Sequence, residues 1–259
     1  LPVLTPFTRA VDTYEQRWPF RPLAGWESFV STSDGMTPDE RQAVNEVLGT
    51  EYSALMSALN AAWSASLTRT SIFIYSLSAA GVALGFVAQG GLDSAPFTTL
   101  ALVVLPLMLF LGVATFVRLV QVQRESLVYN MGMNRIRHYF QETAPASRPY
   151  FVLPAHDDPL AMYRSIGTGM SRRLPRYRLL YLVVQTQGIV GVLTAAVASA
   201  VAALAVLAAG PAAVWAMATA AFVITLVALF IYWLRSLAEI QSAIKPLHPT
   251  PPDEVDAPF

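Results

Sequence analysis

The sequence predicts an all-α integral membrane protein with four transmembrane helices, paired as two in-out-in hairpins. The first hairpin carries long cytosolic helical extensions. Three observations lead there. The 259-residue chain is 54% hydrophobic and 13% charged, against about 25% charged in an ordinary soluble domain. Asp, Glu, Lys and Arg are absent from three long runs, 70–92, 94–117 and 179–234. Crossing a hydrocarbon core about 30 Å thick takes about 20 helical residues. The first two runs therefore hold one crossing each, and the third holds two around a tight turn.

Residues 1–36 read as an N-terminal arm. Tyr14, Trp18, Phe20, Trp26 and Phe29 surround Pro19 and Pro22, with no helical period. Such residues suit either a membrane interface or the surface of a partner. The first hairpin occupies 37–142. It opens at Thr37-Pro38-Asp39-Glu40, a capping box with proline at the first helical position. Val44, Leu48, Tyr52, Leu55, Leu59 and Trp63 then recur every three or four residues, which marks one buried face. The helix continues through Arg69 into a first span at about 70–88. Gly90 and Gly91 make the turn, and Pro96 opens a second span at about 97–117 that Pro106 is expected to kink. From Arg118 to Gln141 the pattern stays helical as a cytosolic extension, expected to pack antiparallel to the extension before the first span.

Residues 143–178 read as an Arg-rich cytosolic loop broken by Pro145, Pro149, Pro154 and Pro159, with Asp158 before Pro159 starting a turn or short helix. The second hairpin occupies 179–234, with spans at about 179–208 and 212–234 around Gly210 and Pro211. Residues 235–259 are a Pro-rich tail. Orientation follows from the arginines. The short connections after the first and third spans contain no Arg or Lys, whereas the central loop, the N-terminal region and the C-terminal end all contain them. The positive-inside rule places those three regions, and both termini, in the cytoplasm. The dominance of Arg over the single lysine, Lys245, with Ala-rich helices, points to a bacterial cytoplasmic membrane. No signal peptide is expected, since the first apolar span begins only near Thr70.

Composition also excludes chemistry. With no cysteine, disulfides, zinc thiolates and thiol catalysis are ruled out. Net charge is zero, and no nucleic-acid partner is expected. The spans carry no ionisable residue in their interiors, which argues against proton-coupled transport and ion pumping. No phosphate-cradling loop or supported Ser-His-Asp set occurs, so no catalytic residue is assigned and the protein is expected not to be an enzyme. A lipid-directed enzyme built on His138 or His156 lacks a converging nucleophile or metal set. His156, Asp157 and Asp158 are adjacent on a loop and read as turn residues, not a metal site. No cofactor is predicted beyond bound lipid.

Several residue sets remain as candidates. Gly81 and Gly85 in the first span, and Gly188, Gly191 and Ala195 in the third, have the small-residue spacing that lets helix backbones approach closely. Ser71, Tyr75 and Ser78 form a polar stripe that would line a pore, although single hydroxyls are commonly satisfied by the carbonyl one turn back. Gln185, Thr186 and Gln187 suit interhelical bonding. Asn134, Arg135, Arg137, His138 and Tyr139 form a polar surface for an anionic ligand or a partner, or a junction where arginines hold loop carbonyls. Arg172, Arg173, Arg176 and Arg178 sit where anionic lipid headgroups are expected.

The run Val117-Arg-Leu-Val-Gln121, Tyr129 and Asn134-Arg-Ile-Arg-His-Tyr139 resembles uncharacterised multi-pass membrane proteins of actinobacteria and related bacteria. The resemblance covers the first hairpin and implies no activity. Paired spans flanked by long cytosolic helices are also loosely similar to the SLATT family of two-span effectors, whose resemblance implies pore formation; the second hairpin departs from that pattern. The expected function is a non-enzymatic membrane subunit that assembles through helix contacts, with itself or within a larger membrane complex. The alternative is a homo-oligomeric channel or pore-forming effector gated from the cytosolic side.

Overall fold

A computed structural model of the protein describes residues 36–92, 94–165, 184–207, 210–243 and 245–251. Those residues form helices and connecting segments, with no strand among them. Four helices are long and apolar enough to cross a membrane. In chain order the helices are α1 (Pro38–Ala88), α2 (Ala95–Thr143), a 3-10 segment (Pro145–Tyr150), α3 (Pro159–Ser165), α4 (Thr186–Ala205) and α5 (Pro211–Ala243). The aromatic arm and the cluster Arg172, Arg173, Arg176 and Arg178 lie outside the described residues. The chain divides into two compact units, Leu1–Val47 and Leu48–Phe259.

In the first unit, Met36–Val47 contains the start of α1. The capping box forms: the Thr37 amide donates to Glu40 Oε2 at 2.8 Å and the Glu40 amide donates to Thr37 Oγ1 at 3.3 Å. Two otherwise orphaned amides at a helix start are thereby satisfied. These bonds hold the Glu40 carboxyl below its usual range.

In the second unit the turns follow the glycines. Gly91 (φ +102°) and Gly210 (φ +94°) take the left-handed conformation that side-chain-bearing residues avoid. Gly91 closes the turn after α1, its amide donating to the Ala88 carbonyl at 3.0 Å. Gly210 precedes Pro211 at the start of α5. Helix α2 runs through Pro106 as one element. Asp158 does precede a short helix, since α3 starts at Pro159.

Helix α4 is central, packing closely against both α2 and α5. The apolar core joins all four long helices: Phe73 of α1, Phe116, Leu119 and Val120 of α2, Val190 of α4, and Leu229 and Trp233 of α5. Glycine makes the approach possible. A Cβ on Gly112 would lie 2.6 Å from Thr194 Oγ1 and 3.1 Å from the Phe73 ring. One on Gly191 would lie 3.2 Å from the Phe116 ring. Ala195 is also buried, and Gly188 is half-buried. Gly81 and Gly85 differ, since a Cβ on either would meet nothing within 4 Å. A smaller cluster of Leu127, Met162 and Ile240 ties α2 to α3 and α5.

Candidate functional site

The polar chemistry of the second unit is concentrated along α2 beyond its charge-free run. Gln123, Ser126, Asn130, Asn134 and Arg137 are all at most 7% exposed. Their spacing of three and four residues places them on one helical stripe. Buried polar groups need partners, and each of these has one. Ser126 Oγ donates to the Val122 carbonyl at 2.7 Å, and Asn130 Nδ2 donates to the Ser126 carbonyl at 2.7 Å. Gln123 Oε1 accepts from Trp233 Nε1 at 2.7 Å and from Gln187 Nε2 at 3.3 Å. That node joins α2, α4 and α5 by side-chain hydrogen bonds.

Further along, the stripe organises the segment 151–158 and the tail 245–251. Asn134 Nδ2 donates to the His156 carbonyl at 2.7 Å, and Ser165 Oγ donates to Asn134 Oδ1 at 3.2 Å. Arg135 Nε donates to Asp157 Oδ2 at 2.7 Å, and its NH2 donates to the Lys245 carbonyl at 3.3 Å. Asp157 is fully buried. Besides Arg135 it accepts from the Leu247 amide at 2.9 Å and the His248 amide at 2.8 Å, while its own amide donates to the His248 carbonyl. Asp158 Oδ1 accepts from the amide and hydroxyl of Thr250. Two adjacent carboxylates thus tie the tail to the loop. Burial pushes the Asp157 carboxyl up, but the Leu247 amide, the Arg135 guanidinium and the His248 amide outweigh it and hold it below the carboxylate range.

The three histidines of the chain meet here. His138 stacks on His248, ring centroids 3.7 Å apart with planes 23° from parallel, and the His138–His156 centroid distance is 6.1 Å. His138 Nε2 is 3.2 Å from Glu142 Oε1. Burial and the neighbouring His138 push the His248 imidazole below its usual value, against the pull of Asp157 and Glu142. Among the described residues no group of His, Asp and Glu is arranged to hold a metal ion.

Arg137 is 4% exposed. Its NH1 donates to Asn134 Oδ1 and, at 3.5 Å, to the Pro154 carbonyl, and its NH2 donates to Tyr52 Oη at 2.9 Å. The guanidinium carbon lies 5.5 Å from the centroid of the Tyr52 ring. Arg137 lines a cleft of about 520 Å³ whose walls include Tyr52, Phe140, Tyr150 and Phe151. Tyr139 is half-buried and meets Phe140 edge-on at 5.6 Å between centroids.

Of the polar surface read from sequence, Asn134, Arg135 and Arg137 direct donors at loop, tail and α1 groups. Arginine's fixed fork of donors suits that bridging. In the first span Tyr75 is 72% exposed and Ser71 half-buried. The Ser78 hydroxyl donates to the Ile74 carbonyl at 2.9 Å. Gln187 lies in the first turn of α4 and enters the Gln123 node, while Gln185 supplies the cap position without a side-chain cap bond.

Sequence reasoning found Asn134 and Arg137 but missed the rest of the buried stripe and its partners, Gln123 and Trp233 above all. The available signal was the helical spacing of Gln123, Ser126, Asn130, Asn134 and Arg137. It was masked because the apolar residues beside it keep the same period. The tail contacts had no local signal, since Asp157 and Leu247 are ninety residues apart. No protein-family profile, curated protein or solved structure matches the chain.

Proposed function

We propose that the protein is a non-enzymatic integral membrane subunit that assembles through helix contacts, with the open face of α1 as the assembling surface. One observation carries this reading. The apolar span of α1 is scarcely buried, and its open face carries Tyr75, Ser78, Gly81 and Gly85. Among the described residues of α1 only Ser66, Thr70 and Phe73 are buried. In lipid, helix association is driven by close packing and interhelical hydrogen bonds, which small residues permit. A spanning helix with its small and polar residues turned outward is suited to a contact outside its own chain, in a second copy or another membrane subunit.

The same reading gives the arrangement in the membrane. The four helices form two in-out-in hairpins in a bacterial cytoplasmic membrane. The arginine-rich loop, the polar half of α2 and both termini are cytoplasmic, as the distribution of Arg supports. The polar junction between α2, the 151–158 loop and the 245–251 tail is then a rigid cytosolic platform. Anionic lipid headgroups meet Arg172, Arg173, Arg176 and Arg178.

The test is the mass of the intact particle after gentle extraction. The expected result is a particle larger than the 28.1 kDa chain, which becomes smaller in a Gly81→Leu/Gly85→Leu variant. A lone monomer with no co-purifying chain would overturn the proposal. The exposed Tyr75 hydroxyl favours one second reading, the channel. A symmetric particle of this chain alone that passes ions in liposomes, with flux abolished by Ser71→Leu/Ser78→Leu, would replace the subunit by that channel.

A further inference from the structure

A buried cation needs a counter-charge or a dense set of acceptors, because moving a charge out of water without compensation costs several kcal/mol. Arg137 is an outlier by that standard. A guanidinium is a permanent cation in proteins. Arg137 is 4% exposed, and no described carboxylate forms an ion pair with it. Its acceptors are all neutral: the Asn134 amide oxygen, the Pro154 carbonyl and the Tyr52 hydroxyl. The neighbouring Arg135, by contrast, is paired with Asp157 at 2.7 Å. Five N–H groups meet three acceptors, so donor capacity remains.

Beside Arg137 lies an open, largely aromatic cleft. It measures about 520 Å³, within the range of about 300–1,000 Å³ common for ligand pockets. Four aromatic rings contribute to its wall, Tyr52 from α1, Phe140 from α2, and Tyr150 and Phe151 at the end of the 3-10 segment. Tyr150 is 84% exposed and Val152 is 88% exposed. Apolar walls with few polar groups, one of them charged, are the usual composition of a site that orients a ligand by its single charge.

We propose that this cleft binds a small organic monoanion, an aromatic carboxylate, with its carboxylate on Arg137 and its ring among Tyr52, Phe140, Tyr150 and Phe151. One permanent cation in an apolar cleft matches one negative charge. A phosphate dianion would leave charge uncompensated there. Arginine's planar fork complements a carboxylate, and aromatic walls favour an aromatic body through edge and offset stacking. The inference stands apart from the assembly reading, since it uses no residue of the open face of α1.

The test is calorimetric titration of the purified full chain with phenylacetate and indole-3-acetate, beside the neutral phenylacetamide and the straight-chain octanoate. Saturable binding of the aromatic carboxylates is expected, with at least about tenfold weaker binding of the amide. Arg137→Gln should abolish binding, but Arg137 also anchors Tyr52 and Pro154, so its loss of binding does not separate ligand contact from folding. Gly49→Leu avoids the difficulty. Gly49 lines the cleft, and a Cβ there meets nothing within 4 Å, so a leucine can be introduced at the cleft wall with its Cβ meeting no packed atom. It should weaken binding at least about tenfold while leaving the melting temperature of the free protein unchanged or raised. No binding by either aromatic carboxylate, equal binding of the amide, tighter binding of octanoate, or undiminished binding by a folded Gly49→Leu protein would each overturn the assignment.

Discussion

At the scale of single residues, two glycines on different helices have opposite roles. Gly112 sits where α1, α2 and α4 meet, with Thr194 Oγ1 and the Phe73 ring occupying the space a Cβ would need. Gly81 faces open space. Alanine raises helix propensity at either position by up to about 1 kcal/mol. We expect Gly81→Ala to stabilise the folded chain slightly. Gly112→Ala should destabilise it by about 1–2 kcal/mol, because overpacking a filled site forces the neighbours to shift. Unfolding in mixed micelles, followed by circular dichroism, measures both; equal effects would mean that Gly112 is not a packing constraint. The sequence displays Gly81, Gly85, Gly188, Gly191 and Ala195 as equivalent small-residue rows. Spacing says that a backbone can approach such a row; it does not say what arrives. Within the chain, Phe116 arrives at Gly191 and nothing arrives at Gly81.

At the scale of elements, the tail 245–251 is held to α2 and the 151–158 loop by groups that titrate in two separate ranges. His248 is stacked on His138 and faces Arg135 and Glu142 of α2 and Asp157 of the loop. Its value in the docked state lies below the 6.5 of the free imidazole. The released tail therefore binds more protons in that interval, and attachment strengthens as pH rises. Docking is complete above about pH 6.5 and weakens as pH falls below it. Asp157 also has a lowered value, so its contribution is present above about pH 4 and is lost on further acidification. We expect hydrogen exchange at the Leu247 and His248 amides, corrected for intrinsic rate, to show less protection at pH 5.5 than at pH 7.5. Equal protection would show that the histidine stack does not control the tail. The helices that carry these groups were legible because apolar period, caps and glycine turns are local signals. The pairing of Asp157 with a tail ninety residues away was not, because a hydrogen-bond partner at that separation is chosen by the fold.

At the scale of the whole molecule, the four apolar helices establish a chain that can cross a membrane four times, and the proposed orientation makes a direct prediction. The chain has no cysteine, so single cysteines report without background. In intact cells a membrane-impermeant maleimide should label Gly90→Cys, in the turn between α1 and α2, and should not label Ser147→Cys, in the 3-10 segment. The reverse pattern would invert the topology. Assembly belongs to this scale too. The outward faces of α1 and α5 hold exposed Ile72, Tyr75, Val82, Phe86, Ile224 and Val227, which in a bilayer meet either lipid or another helix.

The sequence by itself determined the helical class, the number of apolar helices and the positions of their turns. Each depends on neighbours within a few residues: charge-free length, the Thr37–Glu40 cap, and glycine where the backbone takes positive φ. Tertiary structure alone decided which polar residues are buried and what they hold. Gln123 looks like a surface residue of a helical extension, and Asn134 and Arg137 read as either a polar surface or a junction holding loop carbonyls; all three are enclosed because Trp233, Gln187, the 151–158 loop and Tyr52 close over them. Burial is a property of what packs against a side chain, and those partners come from distant parts of the chain.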